Sequence, residues 1–200
     1  MKYPKRASEI CFQEIADKYP LNDEQYGVYS RIIDTVMRQQ KNDERKMFFL
    51  NANAGICLFY FIIYMSILIV LYFGVYVVGC GKTTIAKTIA AYLRSKGKIV
   101  LICASTGLAA QNYPKDASTA HQLFNIPVVE MELRDVADDP IQCNLDWMRE
   151  RVELLLACDV VIWDEFPSSE RRCFECVCEN THLKQLRGKV FIGLGKNVNF

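Results

Sequence analysis

One stretch of this chain carries no charged residue for 35 positions, at residues 47–81. Within it, residues 56–79 contain 21 apolar residues out of 24. A run of that length and hydropathy is long enough to cross a bilayer as a helix. On either side, short apolar segments are separated by charged ones. We therefore interpret residues 56–79 as an insert in a domain of a different kind.

Outside the insert, short apolar segments alternate with amphipathic ones. Buried strands are predicted at residues 47–50, 98–103, 159–163 and 189–194. Between the first two, a helix is predicted at residues 82–95, with Gly97 as its stop. Such alternation predicts an α/β fold, in which a parallel sheet is covered by helices on both faces.

Two helices are predicted in the first forty residues, so a short helical segment precedes the sheet. The second begins at the sequence NDEQ of residues 22–25. Its apolar residues recur at helical spacing, which predicts that this face packs on a core. They are Tyr26, Tyr29, Ile32, Ile33 and Val36.

The sequence GCGKTT at residues 79–84 leads directly into a predicted helix and is the back half of a phosphate-binding loop, GxxxxGK[ST]. Glycines let backbone N–H groups approach phosphate oxygens, and the helix N-terminus favours negative charge. Lys82 is expected to reach the β and γ phosphates, and Thr83 to bind magnesium. The front half does not fit, because the bulky Tyr76 stands where the loop must wrap the phosphates.

A better front half lies before the insert, where LNANAG at residues 50–55 follows a predicted strand. Removing residues 56–79 joins the halves into FLNANAGCGKTT, which is a strand, a small-residue loop and a helix start. The insert contains no alanine or threonine, and most of its residues have T as the middle base of their codons. We therefore expect it to be a retained intron, with a transmembrane helix as the alternative.

The apolar segment VVIWDE at residues 160–165 ends in two adjacent carboxylates. In a phosphate-loop ATPase, Asp164 at the strand end would hold magnesium, and Glu165 would orient and deprotonate the attacking water. An isolated pair of this kind is more often a solvated turn. The GCGKTT motif about 80 residues earlier, in the expected order of strand and helix, favours the catalytic interpretation.

Small hydroxyl residues occupy two segments between these motifs, ASTGLAA at 104–110 and ASTAHQLF at 117–124. Such residues can donate hydrogen bonds to the phosphates of a nucleic-acid strand. They also make ordinary strand-to-helix turns, and His121 alone is more often structural than catalytic. With a net charge of +1, the chain as a whole gives no electrostatic sign of nucleic-acid binding, so any DNA contact must be local.

Nine cysteines are present, and no secretory signal opens the chain, so we expect reduced thiols. Cys173, Cys176 and Cys178, followed by His182, form the cluster to test as a metal site. A charged helix is the favoured interpretation, since a tetrahedral zinc site normally needs two separated ligand pairs.

Taken together, these motifs make the chain similar to superfamily-one DNA helicases of the PIF type, including the helicase part of Helitron transposons. The matching segments are LNDEQ at 21–25, NANAG with CGKTT, ASTGLAA at 104–110, STAHQLFNIPV at 118–128 and VVIWDEF at 160–166. The resemblance implies an incomplete RecA-like domain at residues 46–200, interrupted by the insert. It also implies that the helices of residues 1–45 carry an adenine-contacting motif.

The resemblance further implies ATP and magnesium as cofactors and assigns roles to individual residues. Nucleotide-binding residues would be Gln25, Ala54, Gly55, Cys80, Gly81, Lys82, Thr83 and Thr84, although Gln25 can also cap its own helix. Catalytic residues would be Lys82, Asp164 and Glu165, with Thr83 and Asp164 holding the magnesium ion. DNA-contacting residues would be Ser105, Thr106, Gly107 and His121.

The implied function is ATP-dependent DNA unwinding in repair, recombination or telomere maintenance, with single-stranded or forked DNA as the partner, in the nucleus or mitochondrion. After residues 193–195 the family continues into a motif that senses the γ phosphate, whereas this chain reads KNVNF. We therefore expect the chain as it stands to be inactive, without nucleotide-dependent unwinding. The alternative function is a single-pass membrane protein with a degenerate nucleotide-binding domain. A kinase or signalling ATPase would leave STGLAA and TAHQLFNIP without a role.

Overall fold

The computed structural model describes residues 5–18, 20–38, 46–52, 58–64, 81–113, 117–128, 142–179 and 189–195. Its helices are α1 Lys5–Lys18, α2 Asp23–Arg38, α3 Lys82–Ser95, α4 Gly107–Ala110, α5 Ala120–Phe124, α6 Arg149–Ala157 and α7 Arg171–Glu179. Its strands are β1 Lys46–Ala52, β2 Leu58–Tyr64, β3 Val100–Ala104, β4 Ala117–Thr119, β5 Val160–Asp164 and β6 Val190–Gly195. One turn of 3-10 helix follows β5 at Phe166–Ser168.

All six strands form one sheet in the order β2-β1-β6-β5-β3-β4. From β1 to β4 in that order every pair of neighbours is parallel, so these five strands end at the same edge. The predicted parallel sheet is therefore confirmed, with each predicted strand within two residues of its observed position. Helix α3 also begins and ends as predicted, and Gly97 beyond it has a φ of 80°, the left-handed conformation that commonly ends helices.

Strand β2 lies in the apolar insert and pairs antiparallel with β1 at the edge of the sheet. The sequence predicts a retained intron at residues 56–79, with a membrane helix as the alternative, and over residues 58–64 the structure has a strand where that alternative requires a helix. β-branched and aromatic residues dominate its sequence LFYFIIY, and these favour strands. Residues 56–57 and 65–79 of the insert lie outside the described residues, so its origin stays a prediction.

Among the described helices, none is long and apolar enough to span a membrane.

Both faces of the sheet are covered, as predicted, because side chains along β3, β5 and β6 alternate between two clusters. On β5, Val160 and Ile162 pack with α2 and α3, whereas Val161 and Trp163 pack with α5, α6 and α7. Trp163 is 1% exposed and stacks on Phe124 at 5.7 Å between ring centroids. These three strands therefore contribute to two separate cores, which fixes their register.

Helix α2 buries four of the five residues predicted for its apolar face, namely Tyr29, Ile32, Ile33 and Val36. Tyr26 is 60% exposed, so its prediction as a core residue was wrong. Val28 is buried in its place, because the observed face contains residues 28, 29, 32, 33 and 36, and Tyr26 lies beside that stripe.

Adjacent leucines on α6 provide a matched test of this packing, since Leu155 is fully buried and Leu154 is 38% exposed. Leu155→Ala should lower the free energy of unfolding by about 2–5 kcal/mol, because it leaves a cavity in the core that α5, α6 and α7 form on the sheet. We call this core the second core. Leu154→Ala should cost less than about 1 kcal/mol. Urea unfolding followed by circular dichroism measures both. Equal losses would contradict the placement of α6 against the sheet.

Candidate functional site

The first turn of α3 begins at the edge of the sheet where the parallel strands end. Gly81 precedes the helix, and Lys82, Thr83 and Thr84 form its start. A helix N-terminus carries partial positive charge and unpaired N–H groups, so this position favours an anion. Of the other predicted loop residues, Ala54, Gly55 and Cys80 lie outside the described residues.

Asp164 ends β5 at the same edge, with only 5% of its surface exposed. Its Oδ2 accepts a hydrogen bond from the Tyr113 hydroxyl at 2.8 Å, and its Oδ1 accepts one from the Glu165 amide at 2.8 Å. Burial raises the pKa of Asp164 above its ordinary value, although these hydrogen bonds and the nearby charge of Lys82 oppose the rise. The charge of Lys82 therefore acts on Asp164 across this edge of the sheet.

Tyr113 connects Asp164 to the start of α3. It follows α4, it is 3% exposed, and its hydroxyl donates a hydrogen bond to Asp164 and lies within hydrogen-bonding reach of the Thr83 side chain. Burial and the charge of Asp164 raise the pKa of Tyr113, so the hydroxyl stays protonated and can donate. The two predicted magnesium ligands are thus brought to one hydroxyl group. Sequence analysis missed Tyr113, because a single tyrosine after a short helix has no periodicity or motif to mark it.

The oxygen atoms of Thr83 and Asp164 fit a magnesium ion. Magnesium prefers hard oxygen ligands and commonly binds through one or two carboxylates, together with substrate phosphates and water. The Thr83 hydroxyl and the Asp164 carboxylate, beside the start of α3, are ligands of that kind. No group of three or more possible metal-binding side chains occurs in the part of the chain that the structure describes.

Glu165 follows Asp164 in a left-handed backbone conformation, with a φ of 52°. Its Oε2 accepts a hydrogen bond from the Thr106 hydroxyl at 2.8 Å. The same Thr106 oxygen accepts a hydrogen bond from the amide of Ala109 at 3.1 Å and so caps α4. A predicted catalytic residue and a predicted DNA-contacting residue are therefore directly hydrogen-bonded.

Ser105, another predicted DNA contact, has its hydroxyl engaged inside the protein. It donates to the backbone carbonyl of Glu165 at 2.7 Å and accepts from the indole Nε1 of Trp163 at 3.0 Å. It also lies 2.5 Å from the Ser169 hydroxyl. By contrast, Thr106 and Gly107 are exposed to solvent. Thr106 and Gly107 are therefore accessible to a ligand, whereas the Ser105 hydroxyl is already engaged, and DNA contact by all three stays a prediction.

His121 lies on α5, a helix whose start is fixed by a reciprocal capping box between Thr119 and Gln122. Its Nε2 is 3.9 Å from the sulfur of Cys173 on α7. The predicted role of His121 in DNA binding stays a prediction. Cys173 belongs to the core that α5, α6 and α7 form on the sheet.

The cysteine cluster is divided between different contacts. Cys176 forms a disulfide with Cys143, so the expectation of reduced thiols was wrong for this pair. Spacing in the sequence could not reveal it, since the two cysteines are separated by 33 residues. Cys173 contacts His121, as described above, and His182 lies outside the described residues.

Gln25 caps its own helix, and its predicted role in adenine binding stays a prediction. Its side-chain oxygen accepts a hydrogen bond from the backbone N–H of Asn22 at 3.0 Å. The backbone N–H of Gln25 donates to the side-chain oxygen of Asn22 at 2.8 Å. Its side-chain nitrogen lies against Gly81, where any Cβ would collide with it. Gln25 therefore caps α2 and also lies against Gly81, the residue that precedes α3.

Three solved structures illustrate the similarity of this fold to known proteins. Two coordinating Pif1 helicases at forked double-stranded DNA match with a TM-score of 0.56 and 20% identity, over 89% of this chain and 34% of that one. Pif1 helicase from Candida albicans matches with a TM-score of 0.54 and 19% identity, over 88% and 32%. Pif1 from a Bacteroides species in complex with ADP-AlF4 matches with a TM-score of 0.53 and 21% identity, over 91% and 34%.

At these identities the structural matches establish the RecA-like fold that the resemblance implied. The chain spans about a third of the length of these proteins. No curated protein sequence matches the chain. A family model described as PIF1-like helicase matches residues 69–193. Since this match covers more than half of the 200 residues, the chain belongs to the PIF1-like helicase family.

Proposed function

We propose that this chain is the ATP-binding part of an ATP-dependent DNA helicase. The observation that carries the proposal is that two residues from different elements lie at the Tyr113 hydroxyl. They are Thr83, at the start of α3, and Asp164, at the end of β5. Similar Pif1 structures in complex with single-stranded and forked DNA support DNA as the partner. The resemblance extends the proposal to repair, recombination or telomere maintenance in the nucleus or mitochondrion.

In this proposal each residue of the site has one task. Lys82 and the N–H groups at the start of α3 bind the β and γ phosphates. Thr83 and Asp164 would hold a magnesium ion, whose charge would offset the negative charge on the phosphate oxygens. Glu165 orients a water molecule in line with the γ phosphate and takes its proton. The reaction depends on positioning and charge neutralisation. A displacement of the phosphate loop by about 1 Å should therefore greatly lower the rate of ATP hydrolysis.

Joining β1 directly to α3 completes the phosphate loop. β1 ends at Ala52, and it runs parallel to β6, which runs parallel to β5. The end of β1 therefore lies at the same edge as Asp164. Four residues, Asn53, Ala54, Gly55 and Cys80, would then separate the end of β1 from Gly81. This placement supports the interpretation of residues 56–79 as an insert that interrupts the loop.

Deleting residues 56–79 should therefore create ATP binding. We expect the shortened chain to bind ATP with magnesium at least about tenfold more tightly than the 200-residue chain, a gain of about 1.4 kcal/mol. Titration calorimetry measures both affinities. The control is Lys82→Ala in the shortened chain, which should remove the gain. A shortened chain that binds no better than its Lys82→Ala variant would argue against a phosphate loop at this position.

The hydrogen bond between Thr106 and Glu165 suggests how DNA binding is coupled to ATP hydrolysis. Thr106 and Glu165 are both exposed, so a DNA phosphate can approach the threonine hydroxyl. A hydroxyl has one proton, and it cannot donate fully to Glu165 and to a phosphate at once. A DNA phosphate that accepts the hydrogen bond from Thr106 leaves the Glu165 carboxylate without that bond. The carboxylate is then available to the attacking water. DNA binding would thereby raise the rate of ATP hydrolysis.

Glu165→Gln should strengthen single-stranded DNA binding by the 200-residue chain by about tenfold, roughly the value of one charge-assisted hydrogen bond. The substitution weakens the hold on Thr106 and also removes a negative charge near the phosphate. Fluorescence anisotropy with a labelled oligothymidylate measures the affinity.

Two further variants separate these effects. Glu153→Gln, at an exposed glutamate on α6, controls for the general loss of charge and should change affinity less than about twofold. In a Thr106→Val background, the gain from Glu165→Gln should shrink, because the shared hydrogen bond is already absent. An equal gain in both backgrounds would show that Thr106 and Glu165 act independently.

A further inference from the structure

Tyr113 is the buried polar group at this site to which the proposed reaction assigns no task. Its ring belongs to the core that α2 and α3 form on the sheet, and the ammonium group of Lys87 lies 5.6 Å from the ring centroid. Its backbone amide donates to the carbonyl of Ala110 at 3.0 Å. The ring is therefore held on several sides, and the hydroxyl has little freedom to move away from its partners.

The directions of the two hydrogen bonds follow from the groups involved. An ionised carboxylate only accepts, so the Tyr113 hydroxyl donates its single proton to Asp164. The bond with Thr83 must then use a lone pair of the tyrosine oxygen, with the Thr83 hydroxyl as donor. That arrangement leaves lone pairs on the Thr83 oxygen and on the carboxylate available for a metal ion.

We propose that Tyr113 is a positioning residue for magnesium, which holds the oxygen atoms of Thr83 and Asp164 in place as two ligands of one ion. The proposal rests on the proposed function, since it concerns the same metal site. Groups that hydrogen-bond metal ligands fix the orientation of those ligands, and their loss commonly weakens metal binding by about 10–100-fold. Because the Tyr113 ring is fixed in the core, its hydroxyl stays in place when the ion binds.

This arrangement also reduces the cost of keeping Asp164 ionised while it is buried. A buried carboxylate without partners is strongly unfavourable, and Asp164 has one neutral donor at each oxygen. Neither donor carries a charge that would compete with magnesium. A lysine or arginine in place of Tyr113 would neutralise Asp164 equally well, but it would repel the cation.

The test is the affinity of the 200-residue chain for Mn²⁺, a paramagnetic substitute for magnesium, measured by the loss of the free-ion EPR signal. Tyr113→Phe should weaken Mn²⁺ binding by about tenfold, because it removes the hydroxyl and keeps the ring. Tyr92→Phe, at another tyrosine that packs against the same core, is the matched control and should leave the affinity unchanged. Asp164→Asn should abolish binding at this site.

A second readout separates positioning from a general loss of structure. The rise in melting temperature on adding Mn²⁺ should be smaller for Tyr113→Phe than for the unchanged chain, whatever the melting temperature in EDTA. In an Asp164→Asn background, Tyr113→Phe should have no further effect on Mn²⁺ binding. A variant that lowers the melting temperature in EDTA but keeps the full Mn²⁺-induced rise would overturn the proposal in favour of a purely structural role.

The remaining outcomes distinguish this proposal from the proposed function. If Asp164→Asn binds Mn²⁺ as well as the unchanged chain, the metal site itself is misplaced and both proposals fail. If Asp164→Asn abolishes binding while Tyr113→Phe retains full affinity, the metal site stands and the role of Tyr113 is refuted. Weakened binding in Tyr113→Phe together with loss in Asp164→Asn supports both.

Discussion

The buried carboxylate of Asp164 is the constraint on which this end of the molecule depends. A charge that is only 5% exposed needs partners, and it receives them from the Tyr113 hydroxyl, the Glu165 amide and the charge of Lys82. These partners come from three separate segments of the chain: the turn after α4, the end of β5 and the start of α3. Satisfying one carboxylate therefore brings together the elements that form the site, and the parallel sheet allows this because its strands end at one edge.

Trp163, one residue earlier on β5, links this site to the opposite face of the sheet. Its ring packs between Phe124 and Phe166, while its indole N–H donates to Ser105, whose hydroxyl donates to the Glu165 carbonyl. The segment that contains the predicted DNA contacts is thus attached to the carboxylate strand through a core residue. A change in the packing of the second core should therefore shift the side chains of the site, since packed interiors transmit strain.

Local patterns in the sequence predicted the sheet and α3, because a strand or helix is specified by the spacing of its own apolar residues. The same reasoning failed where an answer depends on distant residues. Tyr113 acquires its role from Asp164, 51 residues away, and the Cys143–Cys176 disulfide spans 33 residues. Leu58–Tyr64 illustrate a different limit, since an apolar run fits a strand or a helix until a neighbouring strand is available to pair with it.

Adjacent carboxylates are suited to different tasks because the backbone turns sharply between them. Asp164 continues β5 and points into the protein, whereas Glu165, at a φ of 52°, leaves the strand and is exposed. A non-glycine residue in that conformation costs about 1–3 kcal/mol, so the surrounding contacts must hold it there. Thr106 holds its side chain and Ser105 its carbonyl. A buried carboxylate with its oxygens already oriented suits a fixed ion, while an exposed one that a single hydroxyl restrains suits a water molecule that must enter and leave. The segment that restrains Glu165 is also the one expected to touch DNA, so the turn that separates the two carboxylates places one of them beside the proposed DNA contact.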